Sequence, residues 1–189
     1  MVIFCDVCNK MFRDSFDLQR HNQRKIPCKL KIEKLKKINE INEIGNEDVL
    51  YIDVERIINE TKEINDYNHD SYIRAGKLIA FFHKLINETG TNKNIKLQNI
   101  KSMITNVYTK NNWVNESTIE VLFKIIKIRS TQLLLFKETI EDLDENFFTN
   151  ENKETWEHIQ SFAKDGYDHH GINDTTRRVR GIIKISLIN

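Results

Sequence analysis

All three cysteines of this chain lie within its first 28 residues, and their spacing constrains the fold more than any other feature. Cys5 and Cys8 are separated by two residues, and His21 follows Cys8 after twelve. Cys28 follows His21 after six residues. Proteins bind structural Zn²⁺ in a tetrahedron of such thiolates and imidazoles. The spacing therefore predicts one Zn²⁺ ion, bound by the side chains of Cys5, Cys8, His21 and Cys28.

Two apolar residues between the ligands fit a small ββα unit. Leu18 precedes His21 by three residues, so both lie on one face of a helix and one can pack with Phe12 while the other binds metal. So small a unit has too little apolar surface to fold by burial alone, and metal binding would supply the missing free energy.

Pro27 predicts where the helix of this unit ends. A proline disfavours helical backbone in the residue before it, so we expect the helix to end near Lys25 and an extended step to bring Cys28 back to the metal. If Cys28 did not bind, three ligands would remain and the site would be open, as in a catalytic zinc centre. No acid or base with suitable spacing accompanies it in the sequence.

Residues 3–28 resemble the Cys2His2 zinc fingers, in the Cys2HisCys variant, through the pattern Cys-x2-Cys-x3-Phe-x5-Leu-x2-His. The final cysteine and the longer gap before it depart from the usual pattern. The segment also looks like the single-finger proteins of large DNA viruses of eukaryotes, which implies a viral protein made in the host cytoplasm. The residues that carry this second resemblance are Cys5, Cys8, Lys10, Phe12, Leu18, His21, Arg24, Lys25, Pro27 and Cys28.

The resemblance implies nucleic-acid contact through the finger helix. The positions that face bases in the family are here Asp14, Asp17 and Arg20. Arg20 can bind guanine in a bidentate way, whereas two acids on the same face weaken the attraction to phosphate. The basic flank can add phosphate contacts, and one finger covers only about 3 base pairs. The candidate nucleic-acid-binding residues are Arg20, Arg24, Lys25, Lys29 and Lys31.

The charge distribution supports the same hypothesis. Ten Lys and Arg residues against four Asp and Glu give residues 1–37 a net charge of +6, although the whole chain carries only +1. Such asymmetry suggests that the front of the chain meets something anionic. Two alternatives stay open: a linker helix with solvated lysines, and a finger that docks on a protein as part of an interaction or virion-structural protein.

The rest of the chain predicts a mainly α fold: a ββα zinc finger, then a linker helix, then an all-helical domain. Leu35, Ile38, Ile41 and Ile44 recur every three residues and indicate the linker helix, which can pack on the body or pair with a second copy. The long apolar segment from Ser117 to about Leu143 is the expected central helix. The expected divisions are the finger at 1–28, the basic linker at 29–46, the helical domain at 47–148 and a C-terminal helical segment at 149–189.

The sequence contains no nucleophile elbow, P-loop or other catalytic motif, so we expect no enzyme and infer no small-molecule substrate. His169 and His170 are adjacent and are interpreted as a polar turn, with a metal or catalytic role as the alternative, and His83 is interpreted as a core or boundary histidine. No apolar run is long enough to span a bilayer, so no membrane association is expected. The start MVIFCD has no secretory character and the cysteine count is odd, which favours the cytoplasm or nucleus.

Overall fold

The N-terminal residues form the expected ββα unit. The structure is a computed structural model that describes residues 3–33, 49–67, 70–89, 95–109, 112–143, 153–166 and 174–188. β1 (Ile3–Phe4) pairs antiparallel with β2 (Met11–Phe12), and α1 (Ser15–Asn22) follows. The carboxylate of Asp14 caps α1 by accepting a hydrogen bond from the N–H of Asp17 at 2.8 Å. α1 ends three residues earlier than Lys25, because Gln23 has left helical geometry (φ −91°, ψ 6°).

The linker is not helical where it leaves the finger. β3 (Lys29–Glu33) pairs antiparallel with β4 (Val49–Asp53), so the predicted helix over 29–46 is wrong for residues 29–33. The sequence Lys-Leu-Lys-Ile-Glu alternates polar and apolar residues, which is the period of a strand, and β4 is rich in β-branched and aromatic residues. The remaining residues of the predicted linker helix, with its apolar stripe, lie outside the described part of the chain.

Five helices make up most of the described residues of the body, so the mainly α fold class is confirmed. α2 and α3 precede a small sheet, and α4, α5 and α6 follow it. Their bounds are α2 Val54–Tyr67, α3 Ser71–Thr89, α4 Thr118–Leu143, α5 Lys153–Asp165 and α6 Asp174–Ile185. Among the described helices, none combines the length and apolar character that crossing a bilayer requires.

The body is nevertheless not all-helical, because residues 95–117 contain a three-stranded antiparallel sheet. Its order is β5 (Ile95–Lys96), β6 (Ile104–Thr109) and β7 (Asn112–Ser117). The apolar residues of this segment also fit helical spacing, but Ile104 is 55% exposed while Thr105 and Val107 are fully buried. Because residues two apart share a face of a strand, this burial pattern follows the period of a strand and not that of a helix.

One hydrophobic core joins the helices. α4 lies at its centre, packs on α3 and α5, and buries the predicted core residues Val121, Leu122, Ile125, Ile126, Leu133 and Phe136. Trp156, Ile159 and Phe162 of α5 belong to the same core, as do Val179 and Ile183 of α6. The C-terminal helices therefore complete the core that α2, α3 and α4 begin.

Candidate metal centre

The structure brings the four predicted ligands together. One ligand atom from each of Cys5, Cys8, His21 and Cys28 lies within 4.8 Å of the other three. The Sγ atoms of Cys5 and Cys28 are 3.9 Å apart. The Sγ atom of Cys8 is 3.4 Å from Nε2 of His21. Zn–S bonds of about 2.3 Å and Zn–N bonds of about 2.0 Å place the ligand atoms of a tetrahedral site about 3.5–3.8 Å apart. These two distances are close to the edges of such a site, and the four side chains converge closely enough to hold a metal ion.

A tight turn after β1 places the first two ligands. The N–H of Cys5 donates to the carbonyl of Lys10 at 2.9 Å, and the N–H of Asn9 donates to the carbonyl of Cys5 at 2.8 Å. Asn9 has φ 58°, the left-handed conformation that asparagine tolerates better than most residues. The turn aims Cys5 and Cys8 at one point, as a metal-binding knuckle requires.

α1 supplies the third ligand from its last turn. His21 is only 3% exposed, and its ring lies 4.8 Å from that of Phe12. Nε2 faces the thiols, while Nδ1 is buried with no hydrogen-bond partner among the described residues. Burial lowers the pKa of His21, and the nearby charge of Arg24 acts in the same direction. A neutral imidazole is the form that binds metal.

Cys28, the cysteine closest to the body, has the largest pKa shift among the four candidate ligands. Burial, together with hydrogen bonds to the Cys8 and Cys5 thiols, raises the pKa of Cys28 to about 12. Burial would also raise the pKa of Cys5, but hydrogen bonds from the backbone N–H groups of Cys8 and Val7, together with those to the Cys8 and Cys28 thiols, outweigh it and leave that pKa lowered. An incoming metal ion must therefore displace the proton of Cys28 as it binds.

Sequence reasoning missed Glu55 of α2, whose carboxylate forms ion pairs with two basic side chains of the finger. Its carboxylate accepts from Arg24 and, at 3.2 Å, from Nζ of Lys10. The two bonds from Arg24 and Lys10 lower the pKa of Glu55. The N–H of Val54 also donates to the carbonyl of Cys28 at 3.4 Å. These contacts fix the finger to the start of α2, and nothing in the sequence near the ligands signals a partner so far along the chain.

The predicted nucleic-acid-binding residues do not form a single group. Arg20 bonds Asp17 at 3.1 Å, so two of the three base-facing positions are paired with each other. Arg24 bonds Glu55. Lys25 is exposed after α1, and Lys29 and Lys31 lie in β3.

Large apolar side chains are exposed on the finger itself. Phe4 and Met11 lie opposite each other in the β1–β2 register and are 55% and 64% exposed. Phe16 on α1 is 68% exposed, with the guanidinium of Arg20 over its ring at 5.3 Å. Ile3 and Phe12 face each other in the same hairpin and are half-buried. The finger therefore exposes more large apolar side chains than contact with solvent alone would explain.

Fold and site together define a mainly α protein with an N-terminal Cys3His site able to hold a metal ion. No protein-family model, curated protein or solved structure matches this chain. The resemblance to zinc fingers is supported by the ligand geometry, whereas the resemblance to viral finger proteins rests on the quoted residues alone. His169 and His170 lie outside the described residues.

Proposed function

We propose that this chain is a zinc-binding protein in which one Zn²⁺ ion holds the N-terminal finger in its folded shape. The observation that carries the proposal is the convergence of four ligand atoms within 4.8 Å of one another. Three cysteines and one histidine are typical ligands of structural zinc, and a set of four leaves no open position for a substrate. The ion therefore acts on folding and not on a reaction.

Metal analysis of the purified chain tests this proposal. We expect one zinc per chain, and intense visible absorption on Co²⁺ substitution, because tetrahedral thiolate sites absorb strongly. Changing an outer-shell residue lowers metal affinity about 10- to 100-fold, so removing a ligand in Cys28→Ser should lower it by at least about 100-fold. Cys28→His is the matched control, since it restores a fourth ligand and should retain zinc. Wild-type affinity in Cys28→Ser would show that the site is wrong.

We further propose that the finger docks on a protein with an apolar surface. The exposure of the large apolar side chains of Phe4, Met11 and Phe16 supports this docking. The side chains at the three base-facing positions, Asp14, Asp17 and Arg20, already form hydrogen bonds within the finger. Exposed aromatic residues are enriched at protein interfaces, where they contribute more than their share of binding energy.

Nucleic-acid binding is the second candidate function, and the net charge of +6 over residues 1–37 favours it. Phosphate contacts release counterions, so the logarithm of affinity falls steeply with the logarithm of salt concentration. A titration of the zinc-loaded chain against generic duplex DNA separates the two candidates. Docking predicts no binding even at low salt. Binding with a salt slope that falls by about one in Lys25→Gln would instead establish phosphate contact.

A further inference from the structure

β7 lies at the edge of the three-stranded sheet. No described residue pairs with its outer side. The N–H of Thr118 donates to the carbonyl of Met103 at 2.9 Å and continues the ladder between β6 and β7. Hydrogen-bonded and non-hydrogen-bonded pairs alternate along an antiparallel ladder. The N–H and C=O groups of Asn115 and Ser117 therefore point away from β6, toward the outer side of the sheet.

The strand lacks the features that protect edges in other proteins. Its sequence Asn-Trp-Val-Asn-Glu-Ser contains no lysine or proline, the residues that commonly prevent edge-to-edge pairing. Its one charge, on Glu116, is matched within the chain, since Nζ of Lys124 lies 2.9 Å from that carboxylate. The edge is therefore close to neutral, which disfavours a nucleic-acid partner and allows two identical edges to approach.

The outer face beside this edge is apolar and aromatic. Trp113 is 45% exposed and lies against Tyr108 of β6, with ring centroids 5.3 Å apart. Ile104, at the other end of β6, is 55% exposed on the same face. An apolar area of this kind at a strand edge marks an interaction surface.

One register makes this edge complementary to itself. When Asn115 faces Asn115 of a second copy, these two residues exchange both of their outward backbone hydrogen bonds, and Trp113 faces Ser117 of that copy. Ser117 lies directly opposite Ile104 in the β6–β7 register. The ring of Trp113 then reaches across the small serine to the exposed Ile104 of the second copy. The two Glu116 carboxylates are not opposite each other in this arrangement.

The same register aligns amide side chains at its centre. Asn106 pairs with Asn115 within each copy, so four asparagines form a row across the joined sheet. Stacked asparagine amides hydrogen-bond to one another along such rows. We propose that the chain forms a two-fold dimer in which β7 pairs antiparallel with β7 of a second copy, joining the two three-stranded sheets into one. An identical patch on both subunits is what a two-fold interface requires.

Analytical ultracentrifugation of the full zinc-loaded chain over a concentration series tests the dimer. We expect a reversible monomer–dimer equilibrium in the wild type. Asn115→Pro removes an outward N–H that β6 does not use, so the dimer dissociation constant should rise at least about tenfold while the monomer stays folded. Asn115→Thr keeps that N–H and should still dimerise. A monomeric wild type, or an Asn115→Pro variant that dimerises like the wild type, would overturn the proposal.

A charge exchange at the two-fold axis tests the register without a proline. Asn115→Lys places two like charges opposite each other and should weaken self-association about three- to tenfold, less so in high salt, and Asn115→Glu should do the same. Mixing the two variants should restore a dimer that contains one chain of each. A mixture that stays monomeric, while the wild type dimerises, would exclude this pairing.

Discussion

His83 is a buried titratable residue whose protonation state follows from its surroundings. It is 1% exposed on α3, and Nε of Arg129 on α4 lies 3.4 Å from its Nδ1 atom. Arginine can only donate, so Nδ1 accepts and the proton of the neutral ring lies on Nε2. Burial, together with the nearby charge of Arg129, lowers the pKa of His83 to about 3. The sequence interpretation of His83 as a core or boundary histidine is confirmed, and the structure places it in the core.

This environment predicts a loss of stability in mild acid. In the unfolded chain His83 takes up a proton near its ordinary pKa of 6.5, whereas in the folded chain it does so only near about 3. The stability it supports is therefore complete above about pH 6.5 and falls by up to about 1.4 kcal/mol per pH unit below that. Urea unfolding of wild type and His83→Gln between about pH 5 and 7 should show the variant with the shallower slope. Equal slopes would contradict the assignment.

The ligands of the finger show how far single residues could be predicted. Cys5, Cys8, His21 and Cys28 were identified because metal geometry depends on a short, local spacing. Glu55 was not, because its role depends on how the finger sits against α2, which the pattern of residues near the ligands does not encode.

At the scale of elements, long amphipathic helices were predictable and short strands were not. α4 has 26 residues, and its repeated apolar face leaves no other interpretation. β5 has two residues, and β6 has six that fit both periods equally well. Whether β3 forms depends on pairing with β4, which begins sixteen residues further along the chain. Distant pairing of this kind has no local signature.

Two glycines give opposite predictions for the same substitution. Gly166 ends α5 with φ +69°, and a Cβ there would lie 2.1 Å from Cε2 of Phe123. Gly166→Ala should therefore lower the free energy of unfolding by about 2 kcal/mol or more. Gly181 lies inside α6, and within the described part of the chain no atom outside its own helix turn would lie within 4 Å of its added Cβ. Gly181→Ala should raise the free energy of unfolding by up to about 1 kcal/mol.

Urea denaturation of both glycine variants against the wild type measures these changes in one experiment. Each variant serves as the control for the other, because both add a single methyl group. Gly166→Ala adds it just after the end of α5, and Gly181→Ala adds it inside α6. A Gly166→Ala variant as stable as the wild type would mean that α5 does not end as described, and a destabilised Gly181→Ala would mean that α6 packs more tightly at that position.

The whole molecule consists of an N-terminal finger, which carries the candidate metal site, attached to a body that has its own core. The largest fully buried side chains among the described residues, Phe82, Phe136 and Phe162, all belong to the helices of the body. Ile26 is the finger residue that packs against that core, and Glu55 anchors the finger through charge. A surface ion pair contributes only about 0–1 kcal/mol, so the finger adds little to the stability of the body.

Removing the metal should therefore unfold the finger and leave the body folded. α1 has 8 residues whereas α4 alone has 26, so chelation should reduce the far-ultraviolet helical signal only slightly. The urea midpoint of the main transition should stay nearly unchanged, while proteolysis within residues 3–28 becomes much faster, because the small unit loses its source of folding energy. Cys28→Ser without chelator should behave as the chelated wild type does, and Cys28→His should resist the protease. A chelated chain that loses most of its helix would show instead that the ion organises the entire protein, with the contacts at Glu55 and Cys28 transmitting its effect to α2.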